Sequence, residues 1–297
     1  MKILVLGGSG LIGNFFIHNS INHEIITTFN KTKINASNAI SKKINLPEDW
    51  AKLQDLILEE KPDVVLNSMA FSNIDFCEIN KEEVYALHVK VSEKITALCS
   101  KINSKIVFLS TDYVFDGKKG NYTESDETNP INYYGHSKDL AEKITLKNKN
   151  NLVLRTAMVY GLSSKVRFLR YVIENLRKNQ EINTYDDIFN SATLLDDLTN
   201  GISKAIEFDA NGIYHMVGSS CVSRFDFAKT VAKVFNFNEN LIKPASIVSA
   251  KLKAKRPVNT CLNNSKAVKT FNIKFSSINE GIKRVYERRD ELGMFNI

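Results

Sequence analysis

The sequence predicts an α/β protein built on a doubly wound parallel sheet, and three features point that way. Short β-rich runs alternate with helical stretches, the first run ends in spaced glycines, and a hydroxyl-bearing strand end precedes a helix with a tyrosine and a lysine four residues apart. Regular alternation of strand and helix lays successive strands side by side, with their crossovers covering the faces of the sheet.

Residues 3–6, 25–29, 64–67 and 106–110 are short apolar runs that read as strands, and 152–155 continues the series. A helix is expected at 11–19, directly after the glycines, and a more polar one at 133–147. Between two of the strands, Val84, Leu87, Val91, Ile95 and Leu98 recur at three- and four-residue steps, which puts one apolar stripe on a helix packed against the sheet. This pattern predicts a Rossmann-like dinucleotide-binding domain over residues 1–160. Beyond it the texture changes: helices at 166–178, 195–207 and 225–235 are separated by short apolar runs such as 212–217. Residues 161–297 are therefore expected to form mainly a smaller α/β substrate-binding domain, with segments free to return to the first.

A chain of 297 residues with 43% hydrophobic content can bury a sizeable core, as one large domain or two intimate ones. Charges interrupt every apolar run before the ~20 residues a membrane helix needs, and the opening segment lacks the sections of a secretory signal. A cytoplasmic protein without membrane partners is expected. The net charge of +7 favours anionic ligands, yet the basic residues are scattered and no basic stripe interleaves with aromatics, which argues against nucleic acid. The densest basic run, 251–256, faces either a diphosphate or solvent. Cys77, Cys99, Cys221 and Cys261 lie far apart with no C-x-x-C pair or metal-ligand spacing, so free thiols and no metal are expected.

Gly7, Gly10 and Gly13 form G-x-x-G-x-x-G between the first strand and the first helix. Glycine there permits a tight turn and lets a pyrophosphate approach backbone amides at a helix N-terminus. Past the second strand, Asn30 and Lys31 stand where an acidic residue would accept hydrogen bonds from a ribose 2′-hydroxyl. Lys31 could neutralise a 2′-phosphate instead, which favours NADP(H) over NAD(H), or it is a solvated surface lysine.

Tyr134 and Lys138 share one helix face, where a cation is expected to bring a phenol down from its ordinary pKa of about 10 towards the working range of a proton donor. Thr111 ends a strand at the carboxyl edge of the sheet, within reach of a substrate carbonyl, and Ser110 is a second hydroxyl candidate. Strand-end hydroxyl, loop, then Y-x-x-x-K helix is the short-chain dehydrogenase/reductase arrangement. His88, on a helix beside apolar residues, reads as structural rather than as part of a proton relay.

More narrowly, LSTDYVFDG (109–117), YTESDETNPINYYGHSK (122–138) and LRTAMVYG (154–161) resemble the dTDP-4-dehydrorhamnose reductase family. The resemblance extends through NSMAFSNIDFCE (67–78), GIYHMVG (212–218) and KRPVNTCLNNSK (255–266), nearly the whole chain. It implies reduction of a 4-keto-6-deoxy nucleotide sugar for polysaccharide or glycoconjugate precursors, by an enzyme that is a candidate homodimer. It assigns catalysis to Thr111, Tyr134 and Lys138, and the dinucleotide surface to Gly7, Gly10, Leu11, Ile12, Ala70 and Phe71, with Tyr134 and Lys138 also touching the cofactor. Ser72, Asn73, Ile74, Thr111, Asp112 and Arg256 are implied on the substrate side. Two positions depart from the common pattern: His88 stands for an asparagine and Met158 for a tryptophan. The family also includes the regulatory β subunit of methionine adenosyltransferase, so a non-catalytic dinucleotide-binding protein is the alternative.

Overall fold

A computed structural model describes residues 1–20 and 22–292. In chain order the strands are β1 (Lys2–Leu6), β2 (Glu24–Phe29), β3 (Ala39–Lys43), β4 (Val64–Asn67), β5 (Lys105–Thr111), β6 (Leu152–Thr156), β7 (Val159–Tyr160), β8 (Ile182–Tyr185), β9 (Phe189–Ser191), β10 (Thr193–Leu194), β11 (Gly212–His215), β12 (Cys221–Ser223) and β13 (Ile242–Ala245). The α-helices are α1 (Leu11–Asn19), α2 (Trp50–Glu60), α3 (Ile74–Ile79), α4 (Lys81–Tyr85), α5 (Val91–Lys101), α6 (Tyr133–Thr145), α7 (Arg167–Arg177), α8 (Leu195–Glu207), α9 (Arg224–Phe235), α10 (Ser265–Phe271) and α11 (Ile278–Glu287).

Seven strands form one parallel sheet in the order β11-β6-β5-β4-β1-β2-β3. The order reverses beside β1, so the Rossmann-like, doubly wound expectation holds. The residues that follow β1, β2, β4 and β5 therefore emerge together at the carboxyl edge, where such sheets bind ligands. β4 is buried along its whole length and β1 from Ile3 on, as expected for a sheet covered on both faces. One face packs Ile3, Val5, Leu66, Val107 and Leu154 with Phe16 of α1 and Leu198 and Ile202 of α8; the other packs Leu4, Leu6, Val65 and Phe108 with Leu53 of α2 and Ile95 of α5.

A second core lies beyond the edge, where Leu169, Val172 and Leu176 of α7 meet Phe227 and Val231 of α9 and Ile282 of α11. Segments beyond residue 160 return to the first core. The apolar run 212–217 supplies β11 to the large sheet, and α8 and α10 pack on the first core. Among the described residues no helix is long and apolar enough to cross a membrane.

The expectation of free thiols is corrected at two positions: Cys221 and Cys261 form a disulfide with Cα atoms 5.5 Å apart. Antiparallel β9–β12 pairing and the bridge from Phe189 to Asn259 carry these cysteines together across 40 residues. Proximity of that kind comes from tertiary pairing and leaves no spacing signal. Cys77 and Cys99 are free and buried, and burial pushes their thiols up to about 11 and about 12.

Candidate functional site

The turn after β1 is shaped by close packing. Gly7 takes φ +78°, and the Gly10 N–H donates to the Gly7 carbonyl at 2.8 Å. A Cβ on Gly13 would lie 2.7 Å from that carbonyl oxygen and 2.8 Å from Ser68 Oγ. Gly8, absent from the motif as first read, sits against Thr27 Oγ1 in the same way. Gly10 caps α1 without a side chain, so the amides of the first helical turn, including Leu11 and Ile12, have no intrahelical acceptor and point out of the helix end. A backbone cradle at a helix N-terminus fits a pyrophosphate. Asn30 and Lys31 are exposed just past β2, and Gly8 N–H bonds Thr28 O, so they adjoin this turn. Lys165, from the second core's side, donates to the Ser9 carbonyl.

Ala70 and Phe71 follow β4, with Ser72 and Asn73 exposed and Ile74 half-buried. Asn73 caps α3 by accepting from Phe76 N–H at 3.1 Å. Asp75 in that helix accepts from the Lys253 and Ala254 amides at 3.0 and 2.9 Å and from both Arg256 terminal nitrogens at 3.2 and 3.1 Å. Burial works against its charge, but these donors outweigh it and hold the carboxyl below its ordinary range. Arg256 is thus fixed beside the Ser72–Ile74 segment, while Lys251, Lys253 and Lys255 are exposed.

Asn132 caps α6 through Gly135 N–H at 2.9 Å, and its amide donates to Lys255 O at 3.0 Å. Gly135 packs directly on the Tyr113 carbonyl, leaving no room for a Cβ. This close approach seats Tyr134 against Thr111, whose hydroxyl meets the phenol. Thr111 Oγ1 donates to Asp112 Oδ1 at 3.0 Å and accepts from Tyr113 N–H at 3.2 Å. Asp112, implied on the substrate side, is 3% exposed; its other oxygen accepts from Asn190 at 2.9 Å and from Thr260. Its contacts are internal: burial lifts the carboxyl to about 6, and the three donors oppose that rise. Ser110 is buried and its hydroxyl has no partner among the described residues.

Lys138 is fully buried over the Phe108 ring at 3.9 Å, and its ammonium donates to Leu109 O at 2.7 Å. Burial pulls its pKa down to about 7. The expectation that Lys138 depresses the Tyr134 pKa is not what the structure gives. Burial pushes that phenol upward, only partly offset by Thr111. The ammonium is turned towards the Leu109 carbonyl, so in this state Tyr134 is a neutral phenol that holds its proton.

The expected helix across the stripe 84–98 is continuous, and it contains a π-helical turn, Ala86–Lys90, between α4 and α5. It turns His88 inward. Nε2 accepts from Phe71 N–H at 2.9 Å; Nδ1 lies 2.9 Å from Ser137 Oγ, which itself donates to Tyr134 O. That sequence of donors requires the neutral ring protonated on Nδ1, and burial, helped by the Lys138 charge, drives its pKa down to about 3. His88 ties the Ala70–Phe71 segment to the Tyr134–Lys138 helix.

The family model described as RmlD substrate binding domain matches residues 1–290. A dTDP-4-dehydrorhamnose reductase of Aggregatibacter actinomycetemcomitans is 30% identical over 76% of this chain and 81% of its own length. The crystal structure of a hypothetical dTDP-4-dehydrorhamnose reductase from Sulfolobus tokodaii superposes with a TM-score of 0.85 at 33% identity, covering 95% of this chain and 99% of that one. A dTDP-4-dehydrorhamnose reductase from Bacillus anthracis, solved in complex with NADP, shares the fold at 23% identity and TM-score 0.84, covering 97% and 99%.

Proposed function

This chain belongs to the RmlD substrate binding domain family, that of the dTDP-4-dehydrorhamnose reductases, and we propose that it reduces a nucleotide-linked 4-keto-6-deoxysugar. It is an NAD(P)-dependent oxidoreductase. The observation that carries the reading is the convergence of Thr111, Tyr134 and Lys138 at the carboxyl edge of the sheet, beside a glycine turn that fits a dinucleotide.

The bound nicotinamide supplies the hydride. Tyr134 gives its phenolic proton to the oxygen of the keto group as that oxygen gains charge, and Thr111 holds the oxygen in place. Lys138 would hold the nicotinamide ribose of the bound dinucleotide. Asp112 acts through Thr111, fixing its hydroxyl from a network anchored by Asn190 and Thr260. Gly7, Gly10, Leu11, Ile12 and Gly13 would hold the pyrophosphate, with Ala70 and Phe71 also lining the dinucleotide; Ser72, Asn73, Ile74 and Arg256 would face the nucleotide sugar. In this reading the dinucleotide rests on the seven-stranded sheet, six of whose strands lie in the first 160 residues, and the second core faces the substrate.

The test is oxidation of NADPH by a panel of nucleotide-linked 4-keto-6-deoxysugars. Turnover with at least one member, and none with the free sugars, is expected. Dinucleotide binding without turnover on any member favours a regulatory protein.

We assign the 2′-phosphate of NADP(H) to Lys31 and Asn30. Lys31→Asp is expected to raise the KM for NADPH about tenfold, a loss of ~1.4 kcal/mol, without raising that for NADH. An unchanged ratio of the two KM values contradicts the preference.

A further inference from the structure

Two of the side chains that bond Asp112 come from segments far from it in sequence. Asn190 lies on β9, and Thr260 on the stretch that follows Arg256. Asn190 donates to Asp112 Oδ2 at 2.9 Å and to Thr260 Oγ1 at 2.8 Å, and Thr260 donates to the same carboxylate oxygen. All three residues are buried. The other carboxylate oxygen accepts from Thr111 Oγ1 at 3.0 Å, so the direction of the Thr111 hydroxyl depends on where Asn190 and Thr260 stand. Both are positioning residues.

Their two segments run side by side. Phe189 N–H donates to Val258 O at 2.7 Å, Thr260 N–H to Phe189 O at 3.0 Å, and Leu262 N–H to Ser191 Oγ at 3.0 Å. On the other side of β9 lies β12, where Cys221 faces Ser191 and Val222 faces Asn190. The Cys221–Cys261 bond closes this arrangement: it ties the residue after Thr260 to the strand paired with Asn190. One end of the bond is open to solvent. Cys221 is exposed, whereas Cys261 and Thr260 are buried. A thiolate therefore reaches Cys221 Sγ without unfolding of the layer beneath.

The chemistry of opening is thiol–disulfide exchange with a dithiol. The attacking sulfur bonds Cys221 Sγ, and the electron pair of the broken S–S bond leaves with Cys261 Sγ, which takes up a proton. The second thiol of the reductant then displaces Cys221 as a thiolate, which is protonated in turn, and the reductant closes its own disulfide. Opening keeps the hydrogen bonds of the 258–262 segment but removes the covalent limit on its separation from β12, and local opening becomes easier. A misplacement on the order of 1 Å at a group that aligns reacting atoms is enough to cost up to about 10²-fold in rate. We propose that the Cys221–Cys261 disulfide is a redox-controlled brace for the Thr111 hydroxyl: closed, it keeps Thr260 and Asn190 on Asp112; opened by a dithiol, it lets them shift and slows turnover. The effect on rate rests on the reductase reading; the loosening of the segment does not.

The experiment compares the whole protein after treatment with oxidised glutathione and after reduction with dithiothreitol. Thiols counted in denaturant should number two in the first state, Cys77 and Cys99, and four in the second. Four in both states overturns the brace. On reduction, amide hydrogen exchange read by mass spectrometry should quicken in peptides covering 256–264, and kcat on a responsive sugar nucleotide should fall roughly three- to tenfold while NADPH affinity holds. Reoxidation should restore both. Cys221→Ala should show the reduced-state values and ignore the dithiol; if it folds poorly, the reversible cycle of the wild type carries the test. Thr260→Val, which already lacks a donor to Asp112, should be slow in both states and lose less than about twofold on reduction, because the bond and the hydroxyl act through one network. Equal kcat in the two states, or a fall in Thr260→Val as large as in wild type, overturns the proposal. Absence of turnover on the whole sugar panel removes the reductase reading alone, and exchange at 256–264 then decides the brace: the same exchange in both states overturns it.

Discussion

Replacing Tyr134 with phenylalanine is expected to lower kcat by roughly 10²–10⁴-fold, the range general acid catalysis contributes. The substitution removes one hydroxyl and keeps the ring that packs edge-on against Tyr113 and His88, so the helix and the dinucleotide surface are preserved. NADPH affinity should therefore hold, and titration of dinucleotide fluorescence checks it. Burial raises the phenol pKa above its ordinary value, so the donor is protonated throughout the neutral range. Near-normal kcat in Tyr134→Phe would assign the proton to another group.

Lys138→Met is expected to abolish turnover and yet stabilise the protein without ligands by about 1–4 kcal/mol, by analogy with the gain when a buried ion pair is replaced by apolar side chains of similar volume. Lys138 is buried with one oxygen partner, Leu109 O, and its pKa falls from 10.5 to about 7. Between those values the unfolded chain holds a proton that the folded chain has lost. Stability contributed by this site therefore rises with pH across that window, and the burial penalty is complete below pH 7. The advantage of Lys138→Met, measured by thermal unfolding, should be largest at or below neutral pH and shrink as the pH approaches 10. A variant less stable than wild type at neutral pH would contradict this account of the site.

Much of the frame was legible because it rests on period and punctuation. The first strand, its glycines and α1 follow one another as the turn chemistry requires, and α8 coincides with its expected range, 195–207, because its apolar stripe is long. β3 was not foreseen: it is an edge strand, AISKK, with little burial, and nothing in it alternates strongly. The elements β7 to β10, β12 and β13 have two to four residues each, too few for a period to show. The run 212–217 was recognised as apolar, but its place in the large sheet depends on a pairing with β6 that only the folded chain reveals.

The site divides in the same way. Tyr134 and Lys138 stand out through their spacing and Thr111 through its strand end. The contacts that determine how they behave are tertiary. Thr260 lies 148 residues from the Asp112 it bonds, and Asn190 lies 78 away. His88 reads as structural, and it is a buried ring bonded to Phe71 N–H and Ser137 Oγ; the π-helical turn that directs it inward cannot be told from α-helix by its apolar stripe.

The central claim is hydride transfer from a nicotinamide dinucleotide to the keto carbon of a nucleotide sugar, with Tyr134 as the proton donor. The direct measurement is mass analysis of the sugar nucleotide after incubation with NADPH carrying deuterium at the transferable position, for wild type and Tyr134→Phe. The account predicts a reduced product heavier by one deuterium with wild type and almost none with the variant. Unchanged substrate, or equal labelled product from both proteins, would contradict it.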